Sequence, residues 1–250
     1  MGSAIAEGLT ARYPEVKLSV MDKIPAKQQA ARSIGAEITN SYQDLFASAD
    51  IIIIAVKPRD LDRFCTEAGP YAQNSEIISV AAGKSISYFQ ENLNTKQVIR
   101  FMPNLSAKVQ ASPVAVAVPE NGDDNFRKKA LAVAEAIGTP YELPEHLLSA
   151  FTGLSGSGIA YVFSFIHALA LGGTQAGIAY PRSLAIALDT LMGAGKLLQE
   201  TGEHPSAALS RVISPAGTTI EGIKALETGG LTAAVMEAVK ASADRALEME

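Results

Sequence analysis

The chain has no tryptophan, one cysteine and three histidines among its 250 residues. The lone Cys65 excludes a disulfide framework and fits a reducing compartment, so a cytoplasmic location is expected. His146, His167 and His204 are scattered, without metal-ligand spacing, and no metal is expected. Basic runs are missing: 21 Lys and Arg stand against 26 Asp and Glu, a net charge of -5, which argues against nucleic acid as a partner. The longest apolar run, residues 51–56, is too short to cross a bilayer, so no membrane partner is expected. Glu7 and Arg12 interrupt the only apolar candidate for a signal peptide.

A nucleotide fingerprint is lacking as well. A doubly wound nucleotide domain opens with a strand, then G-x-G-x-x-G, then a helix whose N-terminus holds the pyrophosphate. Here Met1-Gly2-Ser3-Ala4-Ile5-Ala6-Glu7-Gly8-Leu9 reads as that helix already under way, with Gly2 in the place of the third glycine. The expectation is a sequence that starts late, with neighbouring strands left with unpaired edges.

What is present is a globular composition, 48% hydrophobic and 19% charged, long enough for one or two domains. In residues 1–144 short β-like runs alternate with helical ones. Strands are predicted near residues 16–21, 36–38, 50–56, 76–80, 97–102, 113–118 and 139–143, which argues a doubly wound, Rossmann-like α/β sheet apparently without its first strand. The isoleucines of residues 51–54 mark a strand buried on both faces. From residue 145 onward no strand is predicted, and residues 145–250 read as an all-α domain. Its helix of residues 147–173 carries Tyr161, Val162, Phe163, Phe165, Ile166, Leu169 and Leu171, apolar over more than one face. Burial on every side of so small a unit predicts a homodimer through residues 154–202, or a higher oligomer built on it.

Three strand exits form a candidate cofactor shelf, because ligands bind beyond the carboxyl ends of strands in open α/β sheets. They are Ala55-Val56-Lys57-Pro58, Ala81-Ala82-Gly83 and Met102-Pro103-Asn104. Each alone is an ordinary strand exit; together they favour binding. Asp22, about twenty residues beyond Gly2, stands where an acidic residue accepts the ribose hydroxyls of NAD, whereas Lys23 and Lys27 would favour a 2′-phosphate. NADH and NADPH therefore both stay open. In the helical half, Thr152-Gly153-Leu154-Ser155-Gly156-Ser157-Gly158 places three glycines in a helix at about 1 kcal/mol each. Close helix packing or a close cofactor would each account for them. Ser214-Pro215-Ala216-Gly217-Thr218-Thr219 precedes a helix predicted from Thr218, with Thr218-x-x-Glu221 as a capping box. That helix start, with hydroxyls from Ser214, Thr218 and Thr219 and no side chain on Gly217, is a candidate seat for a small carboxylate, or simply a capped helix.

These motifs, in this order, resemble the Δ1-pyrroline-5-carboxylate reductases. The resemblance rests on Ala55-Val56-Lys57-Pro58, Ser79-Val80-Ala81-Ala82-Gly83, Met102-Pro103-Asn104, Thr152 to Gly158 with Ala160-Tyr161-Val162-Phe163, and Ser214 to Gly222. It implies a Rossmann-like domain, a helical dimerisation domain and reduction of a cyclic imine carboxylate by NADPH or NADH. It further implies that the loop of Ser214, Gly217, Thr218 and Thr219 holds the substrate carboxylate, and that the Thr219 hydroxyl lies near the ring nitrogen as the catalytic group. Met1, Gly2, Asp22, Ala55, Val56, Lys57, Pro58, Ala82, Gly83 and Asn104 are the cofactor-binding expectations. Departures are Leu105-Ser106 for Thr-Pro, Ile159 for Pro, and Ala216 for the first Gly of Ser-Pro-Gly-Gly. Ala216 would be strained if the loop needs positive φ. A β-hydroxyacid dehydrogenase would place a catalytic lysine where this chain has Val162, and a dimeric binding protein without a cofactor site would show no saturable nicotinamide affinity.

Overall fold

The computed structural model describes residues 1–249. By packing, the chain forms two compact units: residues 1–157 together with those from Ala241 onward, and residues 158–240.

The first unit is built on strands β3 (Ile51–Ile54), β4 (Glu76–Ser79), β5 (Val98–Pro103), β6 (Ser112–Ala117) and β7 (Gly138–Glu142), adjacent in that order. All neighbours are parallel except β5 and β6. Alternate side chains feed two cores. Ile52, Ile54, Ile77 and Val98 pack with Phe46, Leu61, Phe89 and Leu93 on one face. Ile78, Ile99, Phe101 and Val114 pack with Ile5, Leu9, Phe126 and Ala130 on the other. Helices α1 (Gly2–Arg12) and α6 (Asp124–Glu135) thus cover one face, and α3 (Tyr42–Ser48), α4 (Leu61–Ala68) and α5 (Ile86–Leu93) the opposite one.

Two further strands, β1 (Ser19–Val20) and β2 (Glu37–Ile38), pair only with each other, joined by α2 (Pro25–Ser33). The isoleucine strand β3 is therefore an edge of the larger sheet. Ile52 and Ile54 are buried, while Ile51 and Ile53 are half-buried. The composition is that of an interior strand; the position is that of an edge.

The chain leaves this unit through α7 (Leu148–Phe151) and a single π-helical turn, Thr152–Gly156, marked by the Ser157 N–H donating to the Thr152 carbonyl at 2.8 Å. The helix predicted over residues 147–173 is thus interrupted where its glycines fall. The second unit consists of α8 (Gly158–Gln175), α9 (Tyr180–Thr201), α10 (Pro205–Val212), α11 (Thr218–Thr228) and the start of α12 (Leu231–Leu247). Helices α8 and α9 share a small core of Ile166, Ala170 and Ala187. Phe163 is 54%, Leu171 50% and Met192 69% exposed, so the apolar faces read from the sequence are unburied in the single chain. The continuous stretch Glu145–Gln175 is long and apolar enough to cross a membrane by length and composition.

Arg100 of β5 is 1% exposed and meets Glu145 at 2.7 Å. The same Glu145 oxygen accepts the Ile86 N–H at 2.7 Å and so caps the start of α5. Removing one member of a buried ion pair costs about 3–5 kcal/mol. Glu145 is itself partly solvated, so Glu145→Ala is expected to lower unfolding free energy by about 2–3 kcal/mol in a urea titration. A loss under 0.5 kcal/mol would show that the pair does not hold the sheet to α5.

Candidate active site

Two helix starts bear on the site. Helices α3, α5, α6 and α10 are capped by side chains: Ser41 on Asp44 N, Ser85 on Tyr88 N, Asp123 on Phe126 N and His204 on Ser206 N. Helices α2 and α9 open on proline, and α4 and α7 continue a preceding 3-10 turn; α1 and α11 have neither a side-chain cap nor proline in the first turn. Their first N–H groups point out of the helix with the positive end of its dipole.

At α11 the N-cap is Gly217, with φ -80 and ψ 170, and Thr218 is the first helical residue. The predicted capping box does not form. Thr218 lies one position inside the helix, so its hydroxyl is not placed to cap, and Glu221 falls at the fourth helical position rather than the third. Ser214 and Thr218 are exposed, while Gly217 and Thr219 are half-buried. The Gly217 N–H donates to the Ser214 carbonyl at 3.0 Å, closing a tight turn. A Cβ at Gly217 would displace the Ser214 hydroxyl, so glycine here serves the close approach of Ser214 rather than φ. The turn thereby keeps the Ser214 hydroxyl beside the uncapped start of α11, a geometry suited to a small carboxylate.

Ala216 in that turn has φ 55, the left-handed region. The methyl group flagged in the sequence is therefore strained, at about 1–2 kcal/mol.

In the first unit, α1 begins at Gly2 after an exposed Met1. A Cβ on Gly2 would lie 3.2 Å from the Ala55 Cβ, so the start of α1 comes against the exit of β3. This cradle, which a side chain would fill, with uncapped N–H groups beside it, fits a pyrophosphate. Ala55, Lys57 and Pro58 are exposed and Val56, Ala82 and Gly83 half-buried, so these two strand exits are open at the surface. Gly83 has φ 74, a turn that disfavours other residues, and the Met249 carbonyl approaches it.

Asp22 follows β1 and is engaged on both oxygens. Oδ1 accepts the Ile24 N–H at 2.9 Å, and Oδ2 lies 3.4 Å from Lys27 Nζ. Lys23 turns instead to Glu67 at 3.6 Å. Asn104 differs from the other shelf residues: it is 8% exposed and its amide is bound within the protein. Its partners Ser106, Ser112 and Ser155 had no signal in the sequence, because three serines 6 to 49 residues apart share no spacing and meet only in the fold. Cys65 is buried, and burial pushes its thiol pKa up, so it is no nucleophile.

Glycine at position 216 would relieve the left-handed strain at some cost in unfolded-chain entropy. Ala216→Gly is expected to raise Tm by about 1–3 °C in differential scanning calorimetry. An unchanged or lower Tm would show that the turn is not strained.

Comparison with known proteins bears on both units. The family of pyrroline-5-carboxylate reductase dimerisation domains matches residues 145–249, and that of NADP oxidoreductases, coenzyme F420-dependent, matches residues 1–83. A pyrroline-5-carboxylate reductase of Aquifex aeolicus is 36% identical over 250 residues, covering 100% of this chain and 94% of the relative. The solved pyrroline-5-carboxylate reductase of Coxiella burnetii superposes with a TM-score of 0.93 at 26% identity, over 100% of this chain and 94% of that one. A Plasmodium falciparum pyrroline carboxylate reductase, solved with NADP bound, does so at 0.89 and 25% identity, with the same coverage. The fold expected from the sequence, a Rossmann-like domain followed by a helical dimerisation domain, is the fold of these proteins. With two family matches and full-length identity of this order, the chain belongs to the pyrroline-5-carboxylate reductase family.

Proposed function

We infer that this chain is a pyrroline-5-carboxylate reductase, an oxidoreductase that reduces 1-pyrroline-5-carboxylate to L-proline with NAD(P)H, the last step of proline biosynthesis. Its full-length likeness to reductases of that name supports the activity, and the uncapped start of α11 supports the site. The substrate carboxylate rests on the N–H groups at the start of α11, with Ser214, Gly217 and Thr218 forming the turn around it. The Thr219 hydroxyl hydrogen-bonds the ring nitrogen and orients the C=N bond. A bound reduced nicotinamide supplies the hydride. A protonated imine is already electrophilic, so no strong general acid is needed from the protein.

Thr219→Val keeps the side-chain shape and removes the hydroxyl. It is expected to lower kcat/KM for the imine about tenfold, the worth of one hydrogen bond, with Tm unchanged. Kinetics equal to the parent protein would remove Thr219 from the reaction.

On the cofactor side, Met1 and Gly2 present the start of α1 to the pyrophosphate. Ala55, Val56, Lys57, Pro58, Ala82 and Gly83 line the strand exits, and Asp22 receives the ribose hydroxyls. Asn104, an expected cofactor ligand, acts at that rim without contacting the cofactor. Lys27, which reaches Asp22 in this structure, can turn to a 2′-phosphate, giving use of both NADH and NADPH. Lys27→Ala is expected to weaken 2′,5′-ADP about tenfold in calorimetric titration and leave 5′-ADP within twofold, about 1.4 kcal/mol of selective loss. Equal weakening of both nucleotides, or of neither, would exclude this role.

The enzyme works as a homodimer joined through residues 154–202, in the cytoplasm, with neither nucleic acid nor membrane as partner. Support comes from the dimerisation match over residues 145–249 and the apolar faces of α8 and α9 left exposed by one chain. That match favours a second copy of the chain over lipid as the occupant of those faces.

A further inference from the structure

Asn104 sits at the exit of β5 and spends its side chain entirely on its own protein. Its Nδ2 donates to the Ser155 carbonyl and Oγ, both at 3.2 Å. Its Oδ1 accepts from the Ser106 N–H at 2.9 Å and from the Ser106 hydroxyl at 2.5 Å, while the Ser112 hydroxyl, 3.3 Å away, lies closer to the Pro113 carbonyl at 2.7 Å. The Asn104 N–H donates to Ser112 Oγ at 2.9 Å. Ser112 and Ser155 are buried and Ser106 is half-buried, so this polar network lies largely in the interior.

Ser155 lies in the middle of the π-helical turn Thr152–Gly156, between Gly153 and Gly156. A π turn is a poor local conformation, and two glycines weaken it further by about 1 kcal/mol each. Such a turn keeps one geometry only where something outside it holds on. The Asn104 amide is that hold, and it reaches the turn from the strand exit. Ser106 fixes which way the amide faces. With N–H and O–H both directed at Oδ1, the NH2 group must turn toward Ser155. Proline, the residue of the resembled family at this position, has no N–H to offer. The departure noted in the sequence therefore carries a lock of its own.

We infer that Asn104 is a positioning residue: it clamps the glycine-bearing turn of residues 152–156 to the cofactor rim, with Ser106 setting its amide. This rests on the reading of that rim given above. The phosphate and ribose contacts of that reading come from residues 2 and 22, so the clamp governs turnover rather than cofactor affinity.

Asn104→Asp is nearly isosteric and keeps the acceptor, but sets a carboxylate oxygen against the Ser155 carbonyl. Three quantities decide: amide hydrogen exchange of peptides covering residues 152–158, kcat with NADPH, and the NADPH dissociation constant. The expected result is exchange in that segment at least about tenfold faster and kcat about tenfold lower, with the dissociation constant within about threefold of the parent. Ser155→Ala, which keeps the carbonyl acceptor, is expected to show the same pattern at about threefold, and it serves if the first variant does not fold. Parent exchange rates in residues 152–158, or full turnover per folded molecule, would overturn the inference, as would lost cofactor affinity in place of lost turnover. If the parent protein itself shows no reductase activity, the functional reading fails, and the exchange experiment still decides the clamp.

Discussion

Helices α1 and α11 begin with neither a side-chain cap nor a proline, and the proposed function is built on that. A folded chain rarely leaves the first N–H groups of a helix without a partner. This one satisfies them with serine, aspartate or histidine at α3, α5, α6 and α10, and not at α1 or α11. Both uncapped starts are flanked by glycine, which keeps Cβ atoms away from the N–H groups. Gly2 lets Ala55 come close to the start of α1, and Gly217 lets the Ser214 hydroxyl come close to the start of α11. Cofactor and substrate each carry an anion, a pyrophosphate and a carboxylate. An uncapped helix start beside glycine thus occurs in each unit, and either anion suits it.

The remaining structure supports those starts. The five-stranded sheet, packed on both faces, fixes the strand exits from which Ala55 and Gly83 project. A buried arginine and a glutamate that also caps α5 brace the middle of the sheet. The α8–α9 pair leaves its large apolar side chains exposed, and a second copy of the chain is the partner its family match supports.

Much of this was legible in the sequence, for identifiable reasons. Isoleucine runs and other short β-like stretches gave the strands, and the switch to helical spacing after Pro144 gave the end of the strands. Gly217 and the hydroxyls around it marked the start of α11. What failed was the capping box. The spacing of Thr218 and Glu221 suits a cap, but the helix starts at Thr218 itself, one residue too early for that pairing. The π turn was hidden because a glycine-rich helical pattern reads alike with four or five residues per hydrogen-bonded ring. The Asn104 network was hidden because its serines lie on β6, on the loop after β5 and on the π turn, with no common period. The edge position of β3 agrees with the expectation of unpaired strand edges, while burial on both faces is only partial, with Ile51 and Ile53 half-buried.

The central claim is that the N–H groups opening α11 hold the substrate's carboxylate. Amide-resolved NMR titration with L-proline, the saturated product bearing the same acid group, tests it most directly. The account predicts saturable shifts at Gly217, Thr218, Thr219 and Ile220, and none on titration with pyrrolidine, which lacks the carboxylate. Saturable proline binding that leaves those four amides unmoved would contradict it.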